Sequence, residues 1–134
     1  MTIGYAEAGD LLAKFVRACE TFEGDLAVSL FSDDAEYHED PFSPPLIGHN
    51  AIRALWLATA ATRDQVELTI ERHLVSGDTV VAIWHLSYVD RELGGRRRVA
   101  GIMVLETRRG AIGRLRPWWQ ERRADTVGGD PAAG

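Results

Sequence analysis

The second half of the chain alternates four β-rich runs with short sequences that favour tight turns. The runs cover residues 66–75, 79–89, 97–107 and 111–122. Between them lie Ser76-Gly77-Asp78, Gly94-Gly95 and Arg108-Arg109-Gly110, which are typical of hairpin turns. Three hairpins in series predict a four-stranded antiparallel meander. Strands of this length must twist, so we expect the sheet to curl.

The start of the chain has the spacing of helices. Residues 5–22 carry apolar side chains three and four positions apart, at Leu11, Leu12, Phe15, Val16, Cys19 and Phe22. Gly24 interrupts this pattern, and Asp25 can cap a second, shorter helix over residues 26–31. Together the two segments resemble a helical hairpin with one apolar face.

A third helix is predicted over residues 48–61. A short strand at residues 36–39 precedes it, and the intervening prolines, Pro41, Pro44 and Pro45, interrupt regular structure. We therefore predict an α+β fold, in which three helices lie across a curved antiparallel sheet and leave a cone closed at one end.

The length of 134 residues fits one domain with room for a core and a pocket. Hydrophobic residues make up 46% of the chain and charged residues 26%, which argues against disorder. We assign residues 1–123 to a single domain and residues 124–134 to a flexible tail. The longest apolar runs are too short to span a bilayer, and the first ten residues lack the features of a signal peptide. We expect a cytoplasmic protein that does not bind membranes.

The net charge of −5 is unevenly distributed, with acidic residues dominating positions 20–40 and arginines crowding positions 96–123. Such arginines can bind nucleic acid, or they can line a solvated sheet face or a subunit interface. We favour the second interpretation, because no RNA-binding motif or helix-turn-helix pattern accompanies them. The single cysteine, Cys19, is expected to be a small buried residue rather than a nucleophile.

Asp40 is a candidate catalytic base. It follows a short strand and precedes Pro41, and the third helix can cover it with apolar side chains such as Trp56. Removal from water raises the pKa of a carboxylate toward the range useful for proton transfer. The alternative is that Asp40 binds backbone amides of the turn at Pro41. Because side chains alternate along a strand, a shift of one residue would turn Glu39 inward instead.

Two histidines are candidate partners of Asp40. His38 lies two residues before Asp40 and would share its face in a strand. His85 lies in the middle of the run at residues 79–89, on the opposite face to Trp84, and its alternative role is that of a hydrogen-bonded core residue. No compact His and Cys cluster has the spacing of a metal site, so we expect neither a metal nor a cofactor.

Several motifs together resemble the nuclear transport factor 2-like superfamily, and in particular its SnoaL-like branch. They are Phe31-Ser-Asp-Asp-Ala35, Asp40-Pro41, Gly48 followed by Ala51-Ile52-Arg53, and Leu115-Arg-Pro-Trp-Trp119. The resemblance covers about residues 11–122. It implies a cone-shaped roll and a homodimer packed sheet to sheet. It implies no single activity, because the superfamily includes isomerases, cyclases, hydrolases, dehydratases and proteins without known catalysis.

The ketosteroid isomerase pattern of this superfamily can be matched to the chain. Asp40 falls at the position of the isomerase's base, and the match turns the face of His85 inward. Phe15 and Met103 fall where the isomerase has a tyrosine and a neutral acid, and neither can donate a hydrogen bond to an enolate oxygen. A steroid isomerase of that type is therefore disfavoured.

Aromatic and apolar residues are expected to form the wall of the pocket. Trp119 matches a pocket-lining aromatic residue of the isomerase, and alternation with Leu115 and Pro117 turns it inward. Trp84, Tyr88 and Trp118 are then expected on the outer face of the sheet. The complete predicted wall consists of Phe15, Tyr37, Trp56, Met103 and Trp119.

The leading hypothesis is a small-molecule enzyme that uses Asp40, His85 and His38 for acid–base chemistry on an apolar carbonyl or polyketide-like substrate. One alternative is a non-catalytic protein of the same fold that binds a hydrophobic ligand or serves as a dimeric accessory module. Another is an epoxide hydrolase, which in this superfamily uses an arginine between two aspartates. Arg53 and Arg98 are present, but no pair of aspartates is placed around either in the sequence.

Overall fold

Three helices and a curved six-stranded sheet make up this computed structural model, which describes residues 2–123. The helices are α1 (Tyr5–Thr21), α2 (Gly24–Ser29) and α3 (His49–Ala60). The strands are β1 (Phe31–Tyr37), β2 (Leu46–Ile47), β3 (Arg63–Ser76), β4 (Thr79–Asp90), β5 (Arg96–Arg108) and β6 (Ala111–Arg123). The predicted tail, residues 124–134, lies outside the described residues. None of the helices within residues 2–123 is long and apolar enough to cross a membrane.

The strands form one sheet in the order β2-β1-β6-β5-β4-β3. Strands β3 to β6 form the antiparallel meander that the turn sequences predict. Strand β1 lies parallel to β6 and pairs Tyr37 with Leu115, so the sheet is mixed rather than purely antiparallel. The predicted α+β fold with a curved sheet is confirmed.

The region before the prolines differs from the prediction. Helix α2 ends at Ser29, and Phe31, which was expected to end that helix, begins strand β1. The strand begins early because Phe31 and Ala35 are buried in the core, and because the Ile112 amide donates to the Leu30 carbonyl oxygen at 2.8 Å. Strand β2 was not predicted, since two residues are too few to show a periodicity.

Helices α1 and α3 each bury one apolar face in the core. The buried face of α1 repeats every three or four residues and consists of Ala8, Leu11, Leu12, Phe15 and Ala18. Helix α3 buries Ile52 and Trp56, and the Trp56 Nε1 donates to the Ala18 carbonyl oxygen at 3.0 Å. This hydrogen bond joins α3 to α1 above the sheet.

We call the side of the sheet that faces the helices the inner face and the opposite side the outer face. On β4 the buried residues of the inner face are Val80, Ala82, Trp84 and Tyr88. The prediction that His85 faces inward, with Trp84 and Tyr88 on the outer face, is therefore wrong. Side chains alternate as expected, but the apolar set packs beneath the helices, and the set that contains His85 and Ser87 faces outward.

Candidate functional site

A cavity of about 340 Å³ lies between the inner face of the sheet and the helices. Its apolar wall consists of the buried residues Phe15, Trp56, Leu68, Trp84, Val99, Met103 and Leu115. Its charged and polar groups include Tyr37, Glu39, Asp40, Arg63 and Glu121. An apolar wall with a few polar groups is the usual composition of a site for a small organic molecule.

The five residues predicted as the pocket wall, Phe15, Tyr37, Trp56, Met103 and Trp119, all line this cavity. The rings of Phe15 and Tyr37 meet Trp56 edge-on, with centroid distances of 6.0 and 5.9 Å. Trp119 is 46% exposed and lies at the mouth, where its Nε1 donates to the Glu39 carbonyl oxygen at 3.1 Å. The aromatic residues thus extend from the closed end of the cavity to its opening.

Tyr37 brings a phenol into this apolar space. It ends strand β1 and pairs with Leu115 of β6, which fixes its ring against Trp56. Burial raises the pKa of the Tyr37 hydroxyl above its ordinary value, so the group is protonated at neutral pH and can donate a hydrogen bond. No other residue among 2–123 accepts a hydrogen bond from it. Tyr37 therefore supplies the donor that is lacking at Phe15 and Met103.

Asp40 lines the cavity, but its carboxylate is bound by its own loop. Its Oδ1 accepts the amides of Phe42 and Ser43 at 2.8 and 2.9 Å, and its Oδ2 accepts the Ser43 hydroxyl at 2.7 Å. The Ser43 hydroxyl and the Phe42 amide lower the pKa of Asp40 below its ordinary value. The expectation of a raised pKa is therefore wrong, because hydrogen bonds to the ionised form outweigh desolvation at this position.

Glu39 lines the same cavity as Asp40. The sequence predicted that only one of the two side chains, Asp40 or Glu39, would face inward. Both line the cavity, because strand β1 ends at Tyr37 and strict alternation ends with it. The Glu39 carboxylate is exposed, and none of the described residues forms a hydrogen bond or an ion pair with it. Of the two acids, Glu39 is the one whose carboxylate is available to a ligand.

The two candidate histidines lie away from the cavity. His85 is exposed on the outer face, where its Nε2 lies 2.7 Å from the Glu71 carboxylate, so it cannot meet Asp40 across the cavity as predicted. His38 contacts the Glu36 carboxylate at 3.4 Å and does not line the cavity. The prediction that His38 shares the face of Asp40 is wrong, since the strand does not extend to Asp40.

Arg63 was missed by sequence analysis. It is the first residue of β3, it is half-buried, and its guanidinium carbon lies 4.1 Å from the centroid of the Tyr88 ring. No periodicity in the sequence indicates its position, because Gln65 has a positive φ of 50° and the pairing with β4 is irregular between Asp64 and Glu67. This bulge hides the alternation that would have assigned Arg63 to the inner face.

Glu121 was also missed, and it is linked to Arg63 through Tyr88. The Tyr88 hydroxyl donates to the Glu121 carboxylate at 2.7 Å. Burial and this hydrogen bond raise the pKa of Tyr88 to about 12. Arg63, Tyr88 and Glu121 thus form one connected polar group beside the apolar wall.

Solved structures of several proteins share this fold. TsrD from Streptomyces laurentii is 19% identical, with a TM-score of 0.74 over 89% of this chain and 90% of that chain. A Bacillus subtilis protein named as a candidate isomerase is 25% identical, with a TM-score of 0.76 over 87% and 88%. An LEH-like epoxide hydrolase of M. tuberculosis is 18% identical, with a TM-score of 0.73 over 86% and 84%.

The sequence itself carries the family assignment. No curated protein matches it. The sequence model of the SnoaL-like domain, however, matches residues 12–115, which include part of α1, all of α3 and most of the sheet. The chain therefore belongs to the SnoaL-like domain family.

Proposed function

We propose that this protein is a small-molecule enzyme that performs acid–base chemistry on an apolar carbonyl compound, including compounds of polyketide type. One observation carries the proposal: a protonated tyrosine, Tyr37, and an unpartnered carboxylate, Glu39, line the same apolar cavity. The names of the B. subtilis and M. tuberculosis proteins of similar fold are compatible with small-molecule catalysis.

Tyr37 ends β1 and Glu39 lies two residues further along the chain, and each has a separate role in the proposed reaction. The Glu39 carboxylate takes a proton from the carbon next to the substrate carbonyl. The electron pair of that C–H bond forms the enolate double bond, and negative charge develops on the oxygen, to which the Tyr37 hydroxyl donates a hydrogen bond. Protonated Glu39 then returns the proton to the same carbon or to a neighbouring one.

Asp40 has a positioning role in this scheme rather than the role of base. Its carboxylate accepts three hydrogen bonds from its own loop, and its lowered pKa makes it a weak proton acceptor. The same hydrogen bonds fix the loop that follows Glu39. We therefore assign the role of base to Glu39 instead of Asp40.

Exchange of carbon-bound hydrogen for deuterium tests the proposal without knowledge of the physiological substrate. The probe is 2-tetralone, an apolar bicyclic ketone whose exchange in D₂O is followed by NMR. We expect the protein to accelerate exchange above the buffer rate and Glu39→Gln to return it to that rate. Tyr37→Phe should slow exchange by about 10²-fold, the effect typical of removing one such donor. Glu92→Gln, in the exposed turn after β4, is the matched control and should exchange as the wild type does.

A non-catalytic ligand-binding protein is the second candidate. It is favoured by the Asp40 hydrogen bonds, which occupy the acid that the isomerase pattern would use as its base. In that case 2-tetralone would bind in the cavity, and its exchange would stay at the buffer rate for the wild type and for Glu39→Gln alike.

Epoxide hydrolysis is less well supported. It requires an arginine held between two carboxylates, and no carboxylate among residues 2–123 forms an ion pair with Arg63, the arginine that lines the cavity. Arg53 pairs with Asp25 at 3.1 Å on the helical side, and Arg98 is exposed. The M. tuberculosis protein therefore supports the fold and not this activity.

We also propose that the protein is a cytoplasmic homodimer packed through the outer face. Three apolar residues, Ile83, Ile102 and Trp118, lie side by side across β4, β5 and β6. Ile102 is 44% and Trp118 43% exposed, so the centre of this face presents apolar surface. A second copy of the chain, related by a twofold axis, would cover the same row on both partners.

A further inference from the structure

Among the described residues that line the cavity, Arg63 alone carries a positive charge. Its guanidinium stacks on the ring of Tyr88, which is itself buried, and this places the charge against the inner face of the sheet. Stacking on an aromatic ring stabilises a guanidinium but leaves its N–H groups free to bind an acceptor in the plane of the fork. The position of Arg63 is therefore set by Tyr88, and its donors remain available.

No carboxylate in the described part of the chain neutralises this arginine through an ion pair. Asp90 faces Arg63 in the pairing of β3 with β4, but its Oδ1 accepts the amides of Glu92 and Leu93. The other oxygen of Asp90 lies 3.9 Å from Arg97. Glu121 accepts the Tyr88 hydroxyl. Both neighbouring acids are thus hydrogen-bonded to other groups, although the charge of Arg63 contributes to the lowered pKa of Asp90.

The charge of Arg63 also acts on two half-buried polar groups of the cavity. It acts on the Cys19 thiol and on the Tyr37 hydroxyl, in each case opposing the rise in pKa that burial causes. Of the three carboxylates that line the cavity, those of Glu39 and Glu121 are exposed, and that of Asp40 is bound by its own loop. Arg63 is therefore the positively charged residue that a ligand in the apolar interior can contact.

A half-buried guanidinium with no carboxylate in ion-pair contact favours a ligand that brings one. Partial removal from water weakens the hydration of the charge, and an anionic oxygen restores strong hydrogen bonds to it. The planar fork of Arg63 matches the two oxygens of a carboxylate.

We propose that the cavity selects apolar molecules that carry one anionic oxygen group, a carboxylate in the first instance, and that Arg63 binds this group. The inference deepens the proposed function by naming the ligand class, and it rests on that function only for the location of the site. An apolar keto acid would satisfy both proposals, with its carbonyl toward Tyr37 and its carboxylate toward Arg63.

Two fluorescent probes of nearly identical shape test this selection. One is 8-anilinonaphthalene-1-sulfonate, in which a sulfonate supplies the anionic oxygens, and the other is the neutral N-phenyl-1-naphthylamine. We expect the wild type to bind the anionic probe more tightly. Arg63→Gln should weaken the affinity for the anionic probe about tenfold and change the affinity for the neutral probe by less than about twofold. Arg53→Gln removes the same charge from the helical surface and should change neither probe.

Two further variants keep the test decisive if Arg63→Gln folds poorly. Arg63→Lys retains the charge and should keep most of the affinity for the anionic probe. Glu121→Gln removes a negative charge from the same polar group and should strengthen binding of the anionic probe. Equal loss of both probes in Arg63→Gln, or tighter binding of the neutral probe by the wild type, would overturn the inference. Absence of 2-tetralone exchange with a preserved charge preference would instead reject only the catalytic proposal.

Discussion

The Ser43 hydroxyl donates to one oxygen of the Asp40 carboxylate at 2.7 Å, and the Ser43 amide donates to the other at 2.9 Å. An asparagine has one acceptor oxygen in place of two, so Asp40→Asn must give up part of this arrangement. We expect Asp40→Asn to lower the melting temperature, and Ser43→Ala to lower it less. Asp10→Asn, an exposed change on α1, is the control, and an Asp40→Asn melting temperature equal to that of the control would contradict the structural role of Asp40.

The stabilisation by Asp40 should depend on pH in one direction. Its folded-state pKa lies below the ordinary carboxyl value of 3.8, so the ionised form stabilises the folded protein. This contribution is fully present above that value and is lost as the pH falls through the lower folded-state pKa. Asparagine does not titrate. The difference in unfolding free energy between wild type and Asp40→Asn should therefore shrink below about pH 4 in denaturant titrations. A difference that stayed constant down to pH 2 would argue against the ionised form as the stabilising one.

Trp56 links the two helices that cover the cavity. Trp56→Phe keeps an aromatic ring but removes the donor to the Ala18 carbonyl oxygen, and it also leaves empty volume in the core. We expect a loss of about 2–3 kcal/mol in the free energy of unfolding, measured by urea titration. Leu57→Ala, at an exposed position of the same helix, should cost less than about 1 kcal/mol. Similar losses in the two variants would show that the hydrogen bond between the helices adds little.

Gly101 allows β6 to approach β5 closely beside the mouth of the cavity. A Cβ at this position would overlap the Trp118 carbonyl oxygen and lie 2.9 Å from the Cβ of Trp119. We expect Gly101→Ala to destabilise the fold by about 1–3 kcal/mol and to weaken binding of N-phenyl-1-naphthylamine, because Trp119 must move.

The control for Gly101→Ala is Gly4→Ala, where a Cβ meets no atom within 4 Å. It should leave probe affinity unchanged. Unaltered affinity in Gly101→Ala would show that the position of Trp119 does not matter for the ligand.

The outer face gives a prediction about assembly. Ile102→Glu places a charge in the centre of the apolar row formed with Ile83 and Trp118, and a charge buried without a partner is strongly unfavourable. Sedimentation should show a dimer for the wild type and a monomer for the variant. Ile47→Glu, at an exposed isoleucine of the sheet-edge strand β2, is the control and should remain dimeric. A monomeric wild type would refute the proposed interface.

Local sequence patterns predicted most of the fold. The part that they did not predict depends on pairing between segments that are distant in the sequence. The meander was predictable because its turns contain Gly77, Gly94, Gly95 and Gly110, each of which has a positive φ. The parallel pairing of β1 with β6 was not predictable, because it joins Tyr37 to Leu115 and leaves no mark on the sequence near either residue. The same pairing explains why Phe31 belongs to a strand and not to helix α2.

The site was predictable where one apolar face could be followed along an element. Phe15 on α1 and Trp119 on β6 line the cavity in agreement with their periodicity. His85 was misplaced because both faces of β4 contain apolar residues, so alternation alone does not determine which face is buried, and the match to the isomerase pattern selected the wrong one. Arg63 was missed because the bulge at Gln65 interrupts the alternation.

Deuterium exchange into 2-tetralone by Glu39→Gln and Asp40→Asn, measured side by side, tests the central claim most directly. If Glu39 is the base and Asp40 holds the loop, Glu39→Gln falls to the buffer rate while Asp40→Asn keeps a measurable fraction of the wild-type rate. The reverse result, with exchange abolished in Asp40→Asn and retained in Glu39→Gln, would contradict the assignment and return the role of base to Asp40.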